Sequence, residues 1–195
     1  MPLPDSLEVW PELKEGLRRA DLPDRHPACR DLAAEFAEIR CAVDGRIDPL
    51  CGWAKARLRD LPATPAGLGH YDYHPANVLF RPSEPPVILD LEQVAAGPLV
   101  KCAALGVTRF AMEACRLAPG RDERAAAAAF LDGWRAAFPV DDAVVAQIPD
   151  WIRLYELEKA LRILRRALAG NVYPAMVRKI LTHHLPLCER AAHFA

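Results

Sequence analysis

His70-Tyr71-Asp72-Tyr73-His74-Pro75-Ala76-Asn77-Val78-Leu79-Phe80, followed by Val87-Ile88-Leu89-Asp90-Leu91-Glu92, is the stretch on which the reading of this chain turns. Asp72 and Asn77 sit on either side of a proline-containing turn. Asn77–Phe80 and Val87–Leu89 are short β-type runs, and the polar, proline-rich Arg81–Pro86 between them predicts a hairpin loop. A hairpin folds its ends together, so Asp90 is expected to return close to Asn77. Two oxygen ligands and a third carboxylate then share one mouth. Such ligands suit Mg²⁺, which takes one or two protein groups and leaves its other positions to phosphate and water. A carboxylate beside that site can orient a hydroxyl and accept its proton.

On both sides of this stretch the periodicity changes to helical. Residues 6–60 read as helices, with Leu7, Trp10, Leu13 and Leu17 on one face and Leu32, Phe36 and Ile39 on another. Pro23, Pro27, Gly45 and Pro49 are expected to break them. Residues 101–195 return to helix. Leu154, Leu157, Leu161, Leu164 and Leu168 form a stripe at 3/4 spacing, and Gly170-Asn171 is its stop signal. Glu158 and Arg162 are placed to pair at i, i+4 on the exposed side. Pro174 opens a last helix running to about Arg190. The predicted fold is mainly α with one small β-hairpin, about Val78 to Leu89. Residues 1–60 are leading helices, 61–100 the loop and hairpin, and 101–195 a helical subdomain, all in a single domain.

Composition narrows the function classes. The chain has 195 residues and a formal net charge of -1, without the basic face that marks a nucleic-acid binder. No run approaches the length of an apolar membrane span, and no signal-like segment opens the sequence. Its six cysteines contain no C-x-x-C pair. A chain of this size does not need a disulfide framework, so reduced, mostly buried thiols in a soluble cytoplasmic protein are expected. His183 and His184, with Cys188 a turn later, raise the thought of a metal site. Adjacent helical residues point about 100° apart, which favours a structural role for them. Arg162, Arg165 and Arg166 read as a solvated helix face.

The H-x-D-x-H-P-x-N pattern of His70–Asn77, with Leu89-Asp90-Leu91-Glu92 after it, resembles the aminoglycoside phosphotransferase and choline kinase-like family of small-molecule kinases. The resemblance is strong over about residues 68–98 and diffuse over the flanking helices, including Phe130-Leu-Asp-Gly-Trp134. It implies a protein-kinase-like fold, here its C-terminal lobe, and transfer of a phosphoryl group from ATP, with Mg²⁺, to a small hydroxylated acceptor. It implies that Asp72 is the catalytic base, that Asn77 and Asp90 hold the metal on the ATP phosphates, and that Glu92 supports the metal shell. His74 falls where protein kinases carry a lysine facing the transferred phosphate. His70 matches a loop-packing residue.

Three departures from the family pattern matter. Tyr71 stands where the family has glycine, and glycine permits backbone angles that tyrosine adopts only at a cost. Lys101 or Cys102 stands where the family has an aspartate that anchors the catalytic loop, and neither accepts hydrogen bonds as a carboxylate does. The third is the N-terminal, nucleotide-clamping lobe: the residues before His70 lack its strand pattern and its V-A-x-K-like lysine. Weak or absent activity of the chain alone is therefore expected, as is a protein partner or second copy over the surface that lobe would cover. The other reading is a catalytically silent kinase-like module that binds a metabolite or a partner.

Overall fold

The computed structural model describes residues 3–19, 32–171 and 173–194; Pro23, Pro27 and Cys29 lie outside them. Its contacts divide the chain into two compact units, Met1–Leu61 with Arg153–Glu189, and Pro62–Ile152 with Arg190–Ala195.

The first unit begins with α1 (Leu3–Glu8), α2 (Trp10–Arg19) and α3 (Ala33–Ala42). A π-turn at Val43–Ile47 leads without interruption into α4 (Asp48–Asp60). The expected break at Gly45 and Pro49 is thus corrected: the chain stays helical through both. The reason is local. A proline ring collides with the carbonyl four residues earlier and cannot donate to it. Pro49 would strike the Gly45 carbonyl, and the wider π-turn lies over that residue. The same device recurs at the other end of the chain. There α9 (Pro174–Lys179) runs through a π-turn at Ile180–His184 into α10 (Leu185–Glu189), and Pro186 follows the turn at the same spacing as Pro49 follows the first.

The long helix α8 (Ile148–Leu168) crosses the boundary between the units, and its Arg153–Leu168 part belongs to the first. Leu157, Leu161 and Leu164 are fully buried, as the stripe predicts, and Phe36, Ile39 and Ile47 are equally so. Glu158 is buried rather than exposed, which corrects its expected place on a solvated face. Tyr155, Glu156, Ala160 and Ile163 are buried too, so α8 is enclosed on more sides than its leucine stripe marks. The helix ends as predicted: Gly170 takes a φ of 85°, and the Asn171 N–H returns to the Arg166 carbonyl at 2.9 Å.

The second unit holds the strands. β2 (Val78–Leu79) and β3 (Val87–Ile88) form the predicted hairpin, antiparallel with Val78 opposite Ile88. A second antiparallel pair corrects the expectation of a single hairpin: β1 (Ala66–His70) lies against β4 (Val94–Pro98), with Ala66 opposite Pro98 and His70 opposite Val94. Gly and Ala dominate both strands, so neither shows the β-branched signal by which strands are read. The helices α5 (Leu99–Leu117), α6 (Glu123–Ala137) and α7 (Asp142–Val145) complete the unit with the start of α8. Asp122 caps α6, its carboxylate accepting from the Arg124 N–H at 3.0 Å.

Of the described cysteines, Cys51 and Cys188 are buried, Cys102 and Cys115 half-buried and Cys41 exposed; all five are free thiols. Burial is therefore less general than the sequence suggests. Among the described residues no helix is long and apolar enough to cross a membrane.

Candidate functional site

Residues Tyr71 to Asn77 occupy the turn between β1 and the hairpin. A 3₁₀ turn at Pro75–Asn77 delivers the chain into β2, with the Asn77 N–H on the His74 carbonyl at 2.9 Å. Asn77 is buried, and its Nδ2 donates to the Asp72 carbonyl at 3.0 Å. That assignment leaves Oδ1 as the atom it can offer to a cation. The Leu89 N–H donates to the Asn77 carbonyl at 2.9 Å, which fixes the residue before Asp90 directly beside Asn77.

His70 joins the two loops. The Asp72 N–H donates to its Nδ1 at 3.2 Å, and its Nε2 lies 3.0 Å from the Leu89 carbonyl. Because Nδ1 accepts, the ring proton is on Nε2, where it donates to Leu89. One imidazole therefore ties the backbone of Asp72 to the residue preceding Asp90. This is the loop-packing part that the sequence pattern implies for it.

Asp72, Asn77 and Asp90 are thereby gathered onto one set of loops, at the hairpin mouth. The His74 Nε2 is 3.6 Å from the Asp72 Oδ2, and the two side chains are 31% and 24% exposed. Asp90 and Glu92 are exposed. Asp90 has a left-handed backbone, φ 54° and ψ 63°, just before the 3₁₀ turn Leu91–Gln93, and makes no capping bond to that turn. Aspartate tolerates this conformation better than most residues, and such strained geometry concentrates at functional sites. The set Asn77 Oδ1, Asp90 and Glu92 consists of hard oxygen donors at a solvent-open mouth, and it fits Mg²⁺.

Tyr71 and Cys102, two of the departures from the family pattern, have structural roles of their own. Tyr71 has no positive φ, so no glycine-only backbone is imposed on it. Its N–H continues the β1–β4 ladder to the Gln93 carbonyl at 3.1 Å, and its hydroxyl donates to the Pro98 carbonyl at 3.4 Å. That hydroxyl lies so close over Gly97 that a Cβ there would collide with it; the Cys102 thiol stands in the same relation to Gly69. The tyrosine and the cysteine thus pack onto Gly97 and Gly69 of the small sheet and hydrogen-bond each other. Burial pushes the Tyr71 hydroxyl up to about 12 and the Cys102 thiol up to about 11. The Lys101 ammonium lies 5.3 Å from the Tyr71 ring centroid.

Tyr73 anchors the loop to the helices. Its ring is 5.1 Å from Phe110 of α5, which stacks at 5.5 Å on Phe130 of α6. Gly106 of α5 permits that approach, since a Cβ there would meet both Phe130 and Tyr73. Beside this stack is a pocket of about 250 Å³, lined among others by Leu68, His70, Tyr73, Leu99, Trp134 and Phe138. Sequence reasoning passed over Tyr73, Gly69 and Gly97. The two glycines in facing small-residue runs were the available signal, but their meaning depends on the side chains that fold over them.

Apart from Val78, which is buried, the hairpin's apolar side chains are not covered. Leu79, Val87, Ile88 and Leu89 are exposed, with Phe80 at 65% and Leu91 at 61%.

The family model described as "Phosphotransferase enzyme family", APH, matches residues 1–139, most of the chain and all of the loop and hairpin. The chain belongs to this family. A phosphotransferase-like function follows from that membership, and the recognition from His70–Asn77 and Leu89–Glu92 agrees with it. No curated protein matches the chain.

Proposed function

We propose that this chain is the catalytic-loop lobe of a small-molecule kinase, which passes the γ-phosphoryl group of ATP to a hydroxyl of a small acceptor. The carrying observation is the His70 bridge, which links Asp72 N to the Leu89 carbonyl and so couples the base to the metal-holding hairpin. Asp72 orients the acceptor hydroxyl and takes its proton. The hydroxyl oxygen forms the new bond to the γ-phosphorus as the bond to the ADP oxygen breaks. His74, beside Asp72, faces the transferred group. Asn77 and Asp90 would hold Mg²⁺, supported by Glu92; the ion supplies charge neutralisation on the phosphates. The pocket flanking His70 and Tyr73 is the candidate seat for the acceptor's body, and its size suits a small molecule.

The exposed apolar face of the hairpin supports a second part of this reading. A further protein surface, from a partner or a second copy, covers Phe80 and Leu91 and contributes the nucleotide clamp. Phosphoryl transfer depends on positioning, which can account for roughly 7–11 kcal/mol of barrier. The chain alone is therefore expected to turn over ATP poorly.

The test has two arms. Calorimetric titration with Mg²⁺-nucleotide should show weak binding that Asp90→Ala abolishes; unchanged binding in that variant contradicts the metal role. An ATP-consumption assay with amino-sugar and amino-alcohol acceptors, with light scattering for mass, tests completeness. Acceptor-dependent turnover by a strict monomer overturns the need for a covering surface. No nucleotide binding and no turnover under any condition favours the silent module, to which the loss of the anchoring aspartate at Lys101-Cys102 also points.

A further inference from the structure

The pocket beside the Tyr73 stack has a chemistry unlike that of the acidic mouth at Asp72. Leu68 of β1, Leu99 of α5, and Phe130, Trp134 and Phe138 of α6 wall it, together with Tyr73. All of them belong to the second unit. Among the described residues that line it, none is an aspartate, glutamate, lysine or arginine. Its titratable groups are neutral. The His70 Nδ1 accepts from the Asp72 N–H, and its Nε2 donates to the Leu89 carbonyl, so the ring carries one proton and both nitrogens are used. Burial raises the Tyr73 hydroxyl and pushes the Cys102 thiol up to about 11, so both keep their protons.

Size and wall shape narrow the ligand further. The pocket measures about 250 Å³, and an apolar cavity of about 150 Å³ is enough for a benzene ring. A body of one or two fused rings therefore fits. The Trp134 and Phe138 rings, 6.1 Å apart and tilted by 34°, offer aromatic surface of the kind that favours offset or edge contact with another ring. A cage for a quaternary ammonium needs ring faces open to the cation. Phe110 already lies against both the Tyr73 and the Phe130 rings, at 5.1 and 5.5 Å. An amino sugar is served worse still, because an ammonium taken from water without a carboxylate to meet it is strongly disfavoured. Leu68 is 77% exposed although it shares a face of β1 with His70, two residues on. An apolar ligand in the pocket would cover it. The His70 and Tyr73 rings are 6.2 Å apart, and His70 is hydrogen-bonded to the Asp72 backbone, so the pocket adjoins the loop that carries the base.

We propose that this pocket takes a neutral acceptor with a flat apolar body of one or two rings, its hydroxyl directed to Asp72, in preference to an amino sugar or an amino alcohol. The proposal rests on the phosphotransferase reading above, and the transfer is the one described there, with the acceptor's proton passing to Asp72.

The test is calorimetric titration of the full chain with 2-naphthol, choline and glucosamine, in the absence of ATP and Mg²⁺. 2-Naphthol should bind at one site per chain. Choline and glucosamine should bind at least about tenfold more weakly, the discrimination that burying a ring's apolar area supplies. Leu68→Asp, at an exposed position, should weaken 2-naphthol binding about tenfold or more, because it removes an apolar contact and sets a carboxylate at the mouth. Leu117→Asp, 68% exposed at the end of α5 and outside the pocket, should leave it unchanged. Absence of 2-naphthol binding overturns the proposal. So does binding that is unchanged in folded Leu68→Asp, or tighter binding of choline or glucosamine. Mg²⁺-nucleotide titration of the parent chain and Asp90→Ala reads the phosphoryl-transfer site separately. Nucleotide binding without 2-naphthol binding removes the acceptor class and keeps the phosphotransferase reading. 2-Naphthol binding by a chain that takes no Mg²⁺-nucleotide supports the pocket's ligand class and overturns its role as an acceptor seat.

Discussion

The helical unit around α8 and the loop-and-hairpin region from Ala66 to Pro98 are held together by different physics. In the first, Phe36, Ile39, Ile47, Leu157, Leu161 and Leu164 are fully buried, and each is one of many interchangeable apolar contacts. In the second, the residues from Leu79 to Ala96 are exposed, and beyond the β1–β4 ladder and the Tyr73 ring stack its order rests on a few polar groups: the His70 ring, the Asn77 amide and the Leu89 N–H. A packed core distributes its stability. Where the residues of a loop are mostly exposed, each of its few internal bonds matters individually.

If that contrast holds, the largest single effect on activity should come from the region that contributes least to stability. Asp72→Asn should lower acceptor phosphorylation by roughly 10²–10⁴-fold, the range for loss of a general base. Its unfolding temperature should stay that of the parent. Calorimetry and a steady-state assay on the same preparation would show it, and a large stability loss would mean that Asp72 is a structural residue.

Leu157→Ala should do the opposite. Truncating a fully buried leucine costs about 2–5 kcal/mol through lost transfer energy and the cavity left behind. Denaturant unfolding measures it. A value under 1 kcal/mol would mean that the α8 core collapses around the gap.

Between these extremes lies the small sheet under the loop. Gly97→Ala should cost about 1–3 kcal/mol by forcing the new methyl against the Tyr71 hydroxyl. Tyr71→Phe removes that oxygen, so the double variant should lose less than the sum of the single ones. Strict additivity would show that the two residues do not share the space assigned to them.

The smallest expected effect is electrostatic and belongs to the helical unit. Lys14 and, next, Trp10 hydrogen-bond to Asp48 and hold its carboxyl below the ordinary value of 3.8. A carboxyl depressed in the folded state adds stability above its unfolded pKa and loses it as pH falls through the folded value. Asp48→Asn should therefore flatten the acid limb of stability below about pH 4 and leave its shape at neutral pH unchanged. Unfolding curves at stepped pH would reveal it; an identical acid limb removes Asp48 from the account.

Much of this was legible in the sequence. The hairpin was marked by Val78-Leu79 and Val87-Ile88 around a proline-rich loop. The α8 core was marked by leucines at 3/4 spacing, and its end by Gly170-Asn171. The family was marked by the spacing from His70 to Glu92. The β1–β4 pair was not legible, because Gly67, Gly69, Ala95, Ala96 and Gly97 carry no strand signal of their own. Nor was the continuity of helix through Gly45 and Pro49, since a π-turn depends on a carbonyl moving aside for a ring.

The sequence by itself determined which chemical groups are present and in what order: a carboxylate, an amide and a second carboxylate, spaced across a turn and a hairpin. Those spacings are local, and local geometry follows from them. Only the tertiary structure decided which residues share space over distance. It placed Tyr71 and Cys102 over two glycines, turned His70 into the link between Asp72 and Leu89, and brought Glu156 against His184. The reason is that such meetings depend on how helices and strands pack, and a linear pattern encodes a residue's own face but not what will be laid against it.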